Sequence, residues 1–489
     1  MRTAPFAATA VAVVLAGTVV ASTPQAVGVS PGHVSPVAVE PAGARPLDSI
    51  QQAGHSKPVE DPYYPGKSNP EVDTLHDSLA LDWDGTTLTG TAAVRFRTTR
   101  TTDTVRLDLI HALHVSQVTL DRVPITFAQK GFGLVLDVGH LVKGVPHTFT
   151  IGYSGTPHTV RAPTHRGDFA EGLGWTEDSD GNVYTFQEPF GAFTWYPVND
   201  HPSDKATYDA QITVPAGDAA VFNGQLEGQQ TSAGGSTTFS WHVGRPVASY
   251  LTTIAIGPYT AYHDRMTDGT RTTYWLLPRD QSILASLKTQ TADAFDWLED
   301  NAGPYPFRTF GIVVTGGDSA METQALVTLS RAAFNRPDAV IEHEMAHQWY
   351  GDAISPVDWQ GLWLNEGWAM WMQQAYETYR GGYRYLGGMD NWRPYDERSR
   401  QQSGPPGDYE PKSFGDLNVY LGPAMMLDKI RQRVGDAEFT TLSKAWVAQH
   451  EFGNVARGEF LHWLNVQTGQ RLDALVNLWL DSPHTPDWP

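Results

Sequence analysis

A group of metal-binding residue types in the second half of the chain constrains its fold more than any other feature. His343, Glu344 and His347 form the pattern HExxH, and Glu366 follows after eighteen intervening residues. Two histidines four apart on an α-helix project from one face about one turn apart, so both imidazoles can bind one Zn²⁺ at roughly 2.0–2.1 Å. A second helical stretch, residues 363–368, must then pack beside the first for Glu366 to supply the third ligand.

The spacing of these residues also predicts the kind of zinc site. Three protein ligands leave one tetrahedral position for water, which is typical of catalytic zinc. Glu344 follows the first histidine directly and can accept a proton from water at that position. In a chain of 489 residues with 17 histidines, chance gives HExxH roughly 0.02 times. The pattern therefore favours a zinc hydrolase over the alternative, a solvated helix face that carries these residues by accident.

Length, charge and cysteine content narrow the classes of protein further. The 489 residues, 40% of them hydrophobic, are enough for two to three domains with large cores. A net charge of −20 argues against nucleic acid or an anionic membrane as the main partner. The absence of cysteine excludes disulfides, thiolate ligands and a cysteine nucleophile.

The N-terminus has the pattern of a secretory signal peptide. Arg2 precedes an apolar run over residues 6–21, and small and polar residues follow it. We expect a signal peptide over residues 1–26, a flexible Pro/Ala/Ser-rich leader over residues 27–60, and a secreted, extracellular protein. The alternative, an uncleaved membrane anchor, is disfavoured because about 16 apolar residues are short for a membrane span.

Residues 61–257 are predicted to form an N-terminal β domain. Leu79, Leu81 and Trp83 alternate with polar residues and are followed by Asp84-Gly85, a hairpin signal. Further short alternating runs recur between Gly, Asp and Pro residues. This density of strands predicts an antiparallel, β-sandwich-like domain.

Residues 258–489 are predicted to form a mostly α-helical catalytic domain, so the fold class is α+β with several domains. An apolar face begins near Ile283 and ends before Gly303-Pro304, and a strand is expected over residues 309–315. The zinc helix is expected from Asp338, after Pro337, to Gly351, since helices favour proline first and glycine last. Other helices are expected at 364–379, 420–434, 437–449, 457–467 and 471–480.

Five segments in order resemble one known family. They are HEMAHQWYGD with His343, WLNEGWA with Glu366, Gln187-Glu188-Pro189 with the nearby Tyr196-Pro197, Ser319-Ala320-Met321-Glu322-Thr323, and the segment around Tyr420. They resemble the motifs of the aminopeptidase N family of gluzincin zinc peptidases, which includes the leukotriene-hydrolase type. The resemblance spans roughly residues 60–485.

The resemblance implies a thermolysin-like catalytic domain and a role for each matching residue. It implies one catalytic Zn²⁺ on His343, His347 and Glu366, with Glu344 as general base. It further implies that Tyr420 stabilises the oxyanion and that Glu188 and Glu322 bind the free α-amine of the substrate. The remaining substrate-binding residues that it implies are Ala320 and Met321.

Several positions depart from the family pattern. The segment GAMEN reads SAMET, so Ser319 replaces a glycine and Thr323 replaces an amide side chain. Phe193 stands where an arginine is expected, and Gly422-Pro423 replaces Lys-Gly after the tyrosine segment. We expect a short form that lacks the large C-terminal helical domain of many relatives, with a more open cleft.

The function predicted from the sequence is a secreted zinc aminopeptidase that hydrolyses the N-terminal peptide bond of peptides. Its expected partners are peptides or proteins with free N-termini, not nucleic acid or membrane, and it is expected to act as a monomer. Two alternatives remain open: a zinc endopeptidase with an open cleft, and a non-catalytic secreted binding protein.

Overall fold

A computed structural model describes residues 56–336, 340–381 and 389–487. The predicted signal peptide, most of the predicted leader and the predicted start of the zinc helix at Asp338 lie outside these residues. Within the described ranges, no helix is long and apolar enough to cross a membrane.

From residue 56 onward, the described part of the N-terminal half contains fifteen strands arranged in three sheets. The strands are β1 Val72–Trp83, β2 Leu88–Thr98, β3 Thr102–Asp108, β4 Leu113–Leu120, β5 Val123–Pro124, β6 Phe127–Lys130, β7 Gly133–Leu141, β8 Pro146–Gly155, β9 Gly174–Glu177, β10 Val183–Phe186, β11 Lys205–Val214, β12 Ala219–Phe222, β13 Gln225–Thr231, β14 Thr237–Ala248 and β15 Ile254–Gly257. The largest sheet has eight strands in the order β13-β14-β11-β1-β2-β8-β4-β5. The two smaller sheets have the orders β12-β15-β10-β9 and β3-β7-β6.

The alternation of apolar residues in β1 is reproduced in its burial. Leu79, Leu81 and Trp83 are buried, whereas Ala80 and Asp82 between them are exposed. This confirms a strand with one face on the core. The large sheet is not purely antiparallel, because β1 and β11 pair in parallel. A parallel pair needs a long crossover, and the chain between β1 and β11 supplies one.

The C-terminal half combines a five-stranded mixed sheet with nine helices among the described residues. The strands of this sheet are β16 Thr260–Arg265, β17 Arg271–Leu276, β18 Thr309–Thr315, β19 Ala320–Met321 and β20 Val327–Ser330. Their order is β16-β17-β18-β20-β19, which leaves β19 at an edge. Two further strands, β21 Ser355–Pro356 and β22 Asn454–Val455, form a separate two-stranded sheet. The helices are α1 Leu284–Ala302, α2 Arg331–Phe334, α3 Val340–Ala346, α4 Leu362–Arg380, α5 Arg393–Ser403, α6 Asn418–Val434, α7 Asp436–His450, α8 Arg457–Thr468 and α9 Asp473–Asp481.

The predicted fold class, a β-rich N-terminal domain before a helical catalytic domain, is confirmed. Strand β18 has the predicted bounds, and α1, α4 and α6–α9 each begin and end within two residues of the prediction. The predicted boundary after residue 257 falls between the end of β15 and the start of β16, and as a domain boundary it stays a prediction.

Tryptophans near the metal motif belong to the core of the helical half. Trp349, Trp368 and Trp371 are buried, and the ring of Tyr350 stacks on Trp368 with centroids 4.7 Å apart. These contacts join the segment after α3 to α4. Burial of such large rings is the main attraction that holds the two elements side by side.

Candidate active site

The first two predicted metal ligands lie at the end of α3. His343 is in the helix, which ends at Ala346, and the amide of His347 still donates to the carbonyl of His343 at 3.3 Å. The predicted end at Gly351 was wrong. The amide of Asp352 donates to the carbonyl of His347, and Gly351 has a φ of +135°, so the chain turns away after the second histidine.

The three predicted ligands converge. His343 Nε2 lies 3.2 Å and His347 Nε2 lies 3.3 Å from Glu366 Oε2, and the two nitrogens are 3.1 Å apart. Tetrahedral ligands at about 2.0–2.1 Å from Zn²⁺ are separated by about 3.3–3.4 Å. All three residues are buried. The donor set and its spacing therefore fit one Zn²⁺ with a fourth position open.

The second nitrogen of each imidazole has its own hydrogen-bond partner. His343 Nδ1 lies 3.1 Å from Gln373 Oε1, and His347 Nδ1 lies 3.0 Å from the carbonyl oxygen of Tyr350. Because both partners accept, each Nδ1 carries the hydrogen and each Nε2 keeps its lone pair for a metal. Gln373 was missed in the sequence, although it lies two helical turns after Glu366 on the same face of α4.

Gln373→Ala is expected to lower the affinity for Zn²⁺ by about 10–100-fold, because His343 loses the acceptor that fixes its ring and tautomer. Competition with a chromophoric chelator measures this affinity directly. Gln374→Ala on the same helix is the matched control, since the Gln374 side chain bonds Thr378 instead. An unchanged affinity in Gln373→Ala would remove this residue from the metal site.

Glu344 is buried beside the ligands. Carboxylate oxygens of Glu322 and Glu344 and a ring nitrogen of His347 all lie within 4.8 Å of one another. Burial raises the pKa of Glu344 to about 8, against the opposing effect of His347. A divalent cation on the neighbouring ligands would favour the carboxylate form of Glu344, which is the form that can accept a proton.

Glu188 is presented by a loop that a buried glutamine holds in place. Gln187 Nε2 donates to the carbonyls of Ser249 and Thr252 at 2.9 and 2.5 Å, and its Oε1 accepts from Trp195 Nε1 at 3.0 Å. Both polar side-chain atoms of Gln187 are used, and the adjacent Glu188 is close enough to Glu322, Glu366 and His347 for their charges to act on its carboxyl.

Glu322 is held from the other side of the site. It follows β19, and its carbonyl oxygen accepts from Gln348 Nε2 at 3.0 Å, one residue after His347. Ala320 is half-buried and Met321 is buried on β19, which pairs with β20 on one side. Thr323 is buried, and its hydroxyl bonds the carbonyl of Leu326 and the hydroxyl of Thr328, which fixes the turn after Glu322.

Glu188 and Glu322 together form a pair of buried acids with unsatisfied oxygens. In each residue the Oε1 atom has no hydrogen-bond partner. Glu188 is 7% exposed and Glu322 is 3% exposed. Burial and the charges of Glu322 and Glu366 raise the pKa of Glu188 well above its ordinary value, and burial likewise raises the pKa of Glu322. Two carboxylates in such a place require a cation to become stable in the charged form.

Tyr420 lies in the first turn of α6, near the ligands. Its ring centroid is 5.9 Å from that of His343. Close packing of α6 on α4 brings it there, since a Cβ added at Gly367 would lie only 2.5 Å from Cβ of Pro423. Burial and Glu366 raise the pKa of the Tyr420 phenol well above its ordinary value. The phenol therefore keeps its hydrogen and can donate it.

Arg166 adds a positive charge that sequence reasoning missed. Its Nη1 donates to Tyr420 Oη at 2.9 Å, and its Nη2 donates to Asp168 Oδ2 at 2.6 Å. Although burial opposes the charge, Tyr420 and Asp168 raise the pKa of Arg166 above its ordinary value. The residue lies in the loop between β8 and β9, outside every motif that matched, so no pattern in the sequence pointed to it.

Comparisons with known families and curated proteins identify the relatives of this chain. A model of the Peptidase M1 N-terminal domain matches residues 73–251, and a model of the Peptidase family M1 domain matches residues 289–479. Similar proteins include aminopeptidase M1 of Arabidopsis thaliana, 22% identical over 71% of this chain and 41% of that protein. Aminopeptidase N of Streptomyces lividans is 24% identical over 62% of this chain and 38% of that protein.

Solved structures share the fold over nearly their whole length. An M1 zinc metallopeptidase from Deinococcus radiodurans has a TM-score of 0.77 at 25% identity, covering 88% of this chain and 98% of that one. A two-domain M1 zinc metallopeptidase variant bound to L-arginine has a TM-score of 0.79 at 25% identity, with the same coverage.

The chain spans about 40% of the length of the two curated aminopeptidases. The two family models match its two halves in order, and the resemblance predicted from the five motifs is confirmed. The site lies where the N-terminal β half, which carries Glu188, meets the helical half, which carries the metal-binding residues. The chain belongs to peptidase family M1.

Proposed function

We propose that this chain is a zinc aminopeptidase that hydrolyses the first peptide bond of peptides with a free N-terminus. The observation that carries the proposal is the pair of buried acids, Glu188 and Glu322, beside a complete zinc-binding set. A substrate ammonium supplies the cation that these carboxylates need.

The metal site accounts for the hydrolytic step. His343, His347 and Glu366 would hold one Zn²⁺, which would supply Lewis-acid activation of water and of the scissile carbonyl. Glu344 takes a proton from the attacking water and returns it to the leaving amine. The Tyr420 hydroxyl donates to the carbonyl oxygen as negative charge develops there.

The buried acids account for cleavage at the first bond. Glu322 and Glu344 lie together beside His347, so an ammonium held by Glu322 and Glu188 sits within one residue's length of the metal-binding cluster. β19 lies at the edge of its sheet, so Ala320 and Met321 can offer backbone groups to an extended peptide. A chain extension before the bound residue would have to displace the acids, which restricts cleavage to the N-terminal residue.

Relatives support a peptide substrate. Two of the similar proteins are named aminopeptidases. A further similar structure, at a TM-score of 0.75 and 23% identity, is named as an M1 zinc metallopeptidase variant bound to a Tyr-Ser-Ala substrate.

Glu322→Ala is expected to lower kcat/KM for a free peptide by about 10–100-fold, because a charge-assisted contact to the ammonium is lost. Activity on the N-acetylated form of the same peptide, which has no ammonium, is expected to change less than threefold. Peptide hydrolysis followed by liquid chromatography measures both.

Asp318→Asn is the control for Glu322→Ala, since it removes an exposed charge from the loop just before β19, whereas Glu322 directly follows β19. Asp318→Asn is expected to leave the activity on both peptides unchanged. Equal losses on the free and the acetylated peptide in Glu322→Ala would contradict amine binding by Glu322.

Export and oligomeric state complete the proposal. The N-terminal sequence supports secretion after removal of residues 1–26, and N-terminal sequencing of the mature extracellular protein tests it. A monomer suffices for the activity, because every residue assigned a role comes from one chain.

A further inference from the structure

Arg166 makes contacts on both sides of its guanidinium. On one side, Nη1 donates to Tyr420 Oη at 2.9 Å and to the carbonyl of Gly415 at 3.1 Å. On the other side, Nε and Nη2 donate to the two carboxylate oxygens of Asp168 at 3.1 and 2.6 Å. A bidentate pair of this kind fixes the plane of the guanidinium.

Asp168 is in turn tied to the strand that leads to Glu322. The Ser319 hydroxyl donates to Asp168 Oδ2 at 3.1 Å, and Ser319 is 4% exposed. Ser319 directly precedes β19. The serine that departs from the family's glycine is therefore part of a continuous series of hydrogen bonds from β19 through Asp168 and Arg166 to Tyr420.

We propose that Arg166 is a positioning residue that orients the hydroxyl of Tyr420 for catalysis, and that Asp168 and Ser319 hold Arg166 for this purpose. This inference rests on the proposed aminopeptidase function. It assigns a role in the catalytic half to residues of the loop between β8 and β9.

Arg166 and Tyr420 differ in the hydrogen bonds that each can make. A guanidinium only donates, so Tyr420 Oη accepts from Arg166. The hydrogen of the phenol must then point away from Arg166, on the side where the Glu366 carboxylate interacts with the hydroxyl and the ring of His343 lies. Arg166 thereby removes the alternative rotation of the hydroxyl, and the polarised O–H bond is a stronger donor to the substrate carbonyl.

The series of contacts also connects the two parts of the substrate site. β19 leads to Glu322, which binds the amine in the proposed function, and α6 carries Tyr420. Because Asp168 accepts from both Ser319 and Arg166, a shift of β19 changes the support of the phenol. A displacement of about 1 Å in such a contact costs on the order of 100-fold in rate.

A double-mutant cycle tests the proposal on a free peptide substrate. Arg166→Met is expected to lower kcat about 10–100-fold with KM within threefold of wild type. In the Tyr420→Phe background, Arg166→Met is expected to cost less than threefold, since there is no hydroxyl left to orient. Arg166→Lys, which keeps the charge but not the two-sided contact, is expected to lie between wild type and Arg166→Met. If Arg166→Met and Tyr420→Phe lower kcat independently, so that their fold losses multiply in the double variant, the proposal is overturned.

A readout in the zinc-free protein separates positioning from activity. With tyrosine labelled at ¹³Cζ, the resonance missing in Tyr420→Phe is assigned to Tyr420. It is expected to shift in Arg166→Met, and in the same direction but less in Ser319→Gly. Arg161→Met, an exposed arginine of the same loop, is expected to leave the resonance and kcat unchanged. An unmoved Tyr420 resonance in Arg166→Met, or an equal effect of Arg161→Met, would contradict the proposal.

Different results would contradict the proposed aminopeptidase function and the positioning role of Arg166. A wild-type protein without activity on free peptides removes the proposed function, while the Tyr420 resonance still reports the contact. An active wild type with independent effects of Arg166→Met and Tyr420→Phe removes only the positioning role.

Discussion

Glu344→Gln is expected to lower kcat by at least about 1,000-fold while the protein keeps its zinc and its melting temperature. The amide has nearly the shape of the carboxylate, but it cannot accept the proton of the attacking water, and general base catalysis contributes about 10²–10⁴-fold. None of the three converging ligand atoms belongs to Glu344. Zinc content by elemental analysis and turnover of a free peptide measure the two properties separately.

Glu342→Gln is the matched control for this prediction. Glu342 is buried in the same helix and undergoes the same chemical change, and its charged neighbours include Arg380 and Glu377. It is expected to retain kcat within threefold. Near wild-type turnover in Glu344→Gln, or an equal loss in both variants, would exclude Glu344 as the base.

Tyr420→Phe is expected to lower kcat by about 10²–10³-fold, with little change in KM and in the melting temperature. Removing one donor to a developing oxyanion typically has an effect of this size, and it acts on the transition state more than on the bound substrate. The ring and its packing near His343 remain, so the fold is retained. Steady-state kinetics on one free peptide gives kcat and KM.

Tyr395→Phe on α5, an exposed position, serves as the control for loss of a tyrosine hydroxyl and should leave both constants unchanged. A rise in KM at constant kcat in Tyr420→Phe would make Tyr420 a substrate-binding residue and contradict its catalytic role.

The sequence predicted that His343, His347 and Glu366 converge because the chemistry of such a group depends on local spacing. His343 and His347 lie four residues apart, and Glu366 follows on an amphipathic helix with the predicted bounds to within two residues. The alternation of apolar and polar residues in β1 and the apolar face of α1 were predicted from the sequence in the same way. These features depend on residues that are close together in the sequence, so they can be predicted without knowledge of the tertiary contacts.

Features that depend on contacts between residues far apart in the sequence could not be predicted in this way. α5 was missed because its buried face is polar, with Asp396 and Arg400 in an ion pair at 2.7 Å. The end of α3 follows from the bonds of Asp352 and from the backbone of Gly351, which outweigh the apolar pattern. Arg166 lies more than 250 positions before Tyr420, and its contact exists only in the folded chain.

The departures from the family pattern have structural counterparts. Thr323 uses its hydroxyl within the turn after Glu322, and Ser319 bonds Asp168. Phe193, which stands where an arginine was expected, is buried, and Lys67 Nζ lies 4.0 Å from the centroid of its ring. A cation from another segment thus packs against this position, with a favourable cation–π contact.

Zinc-dependent aminopeptidase activity is tested by cleavage of one short peptide with a free N-terminus and of its N-acetylated twin, each with and without a zinc chelator. We expect that the free peptide is cleaved much faster than its acetylated twin, that its first residue is the product released, and that chelation abolishes cleavage until Zn²⁺ is restored. Equal cleavage of both peptides would contradict the claim and indicate a zinc endopeptidase. No cleavage of either by the zinc-loaded protein would contradict it as well and favour a secreted binding protein.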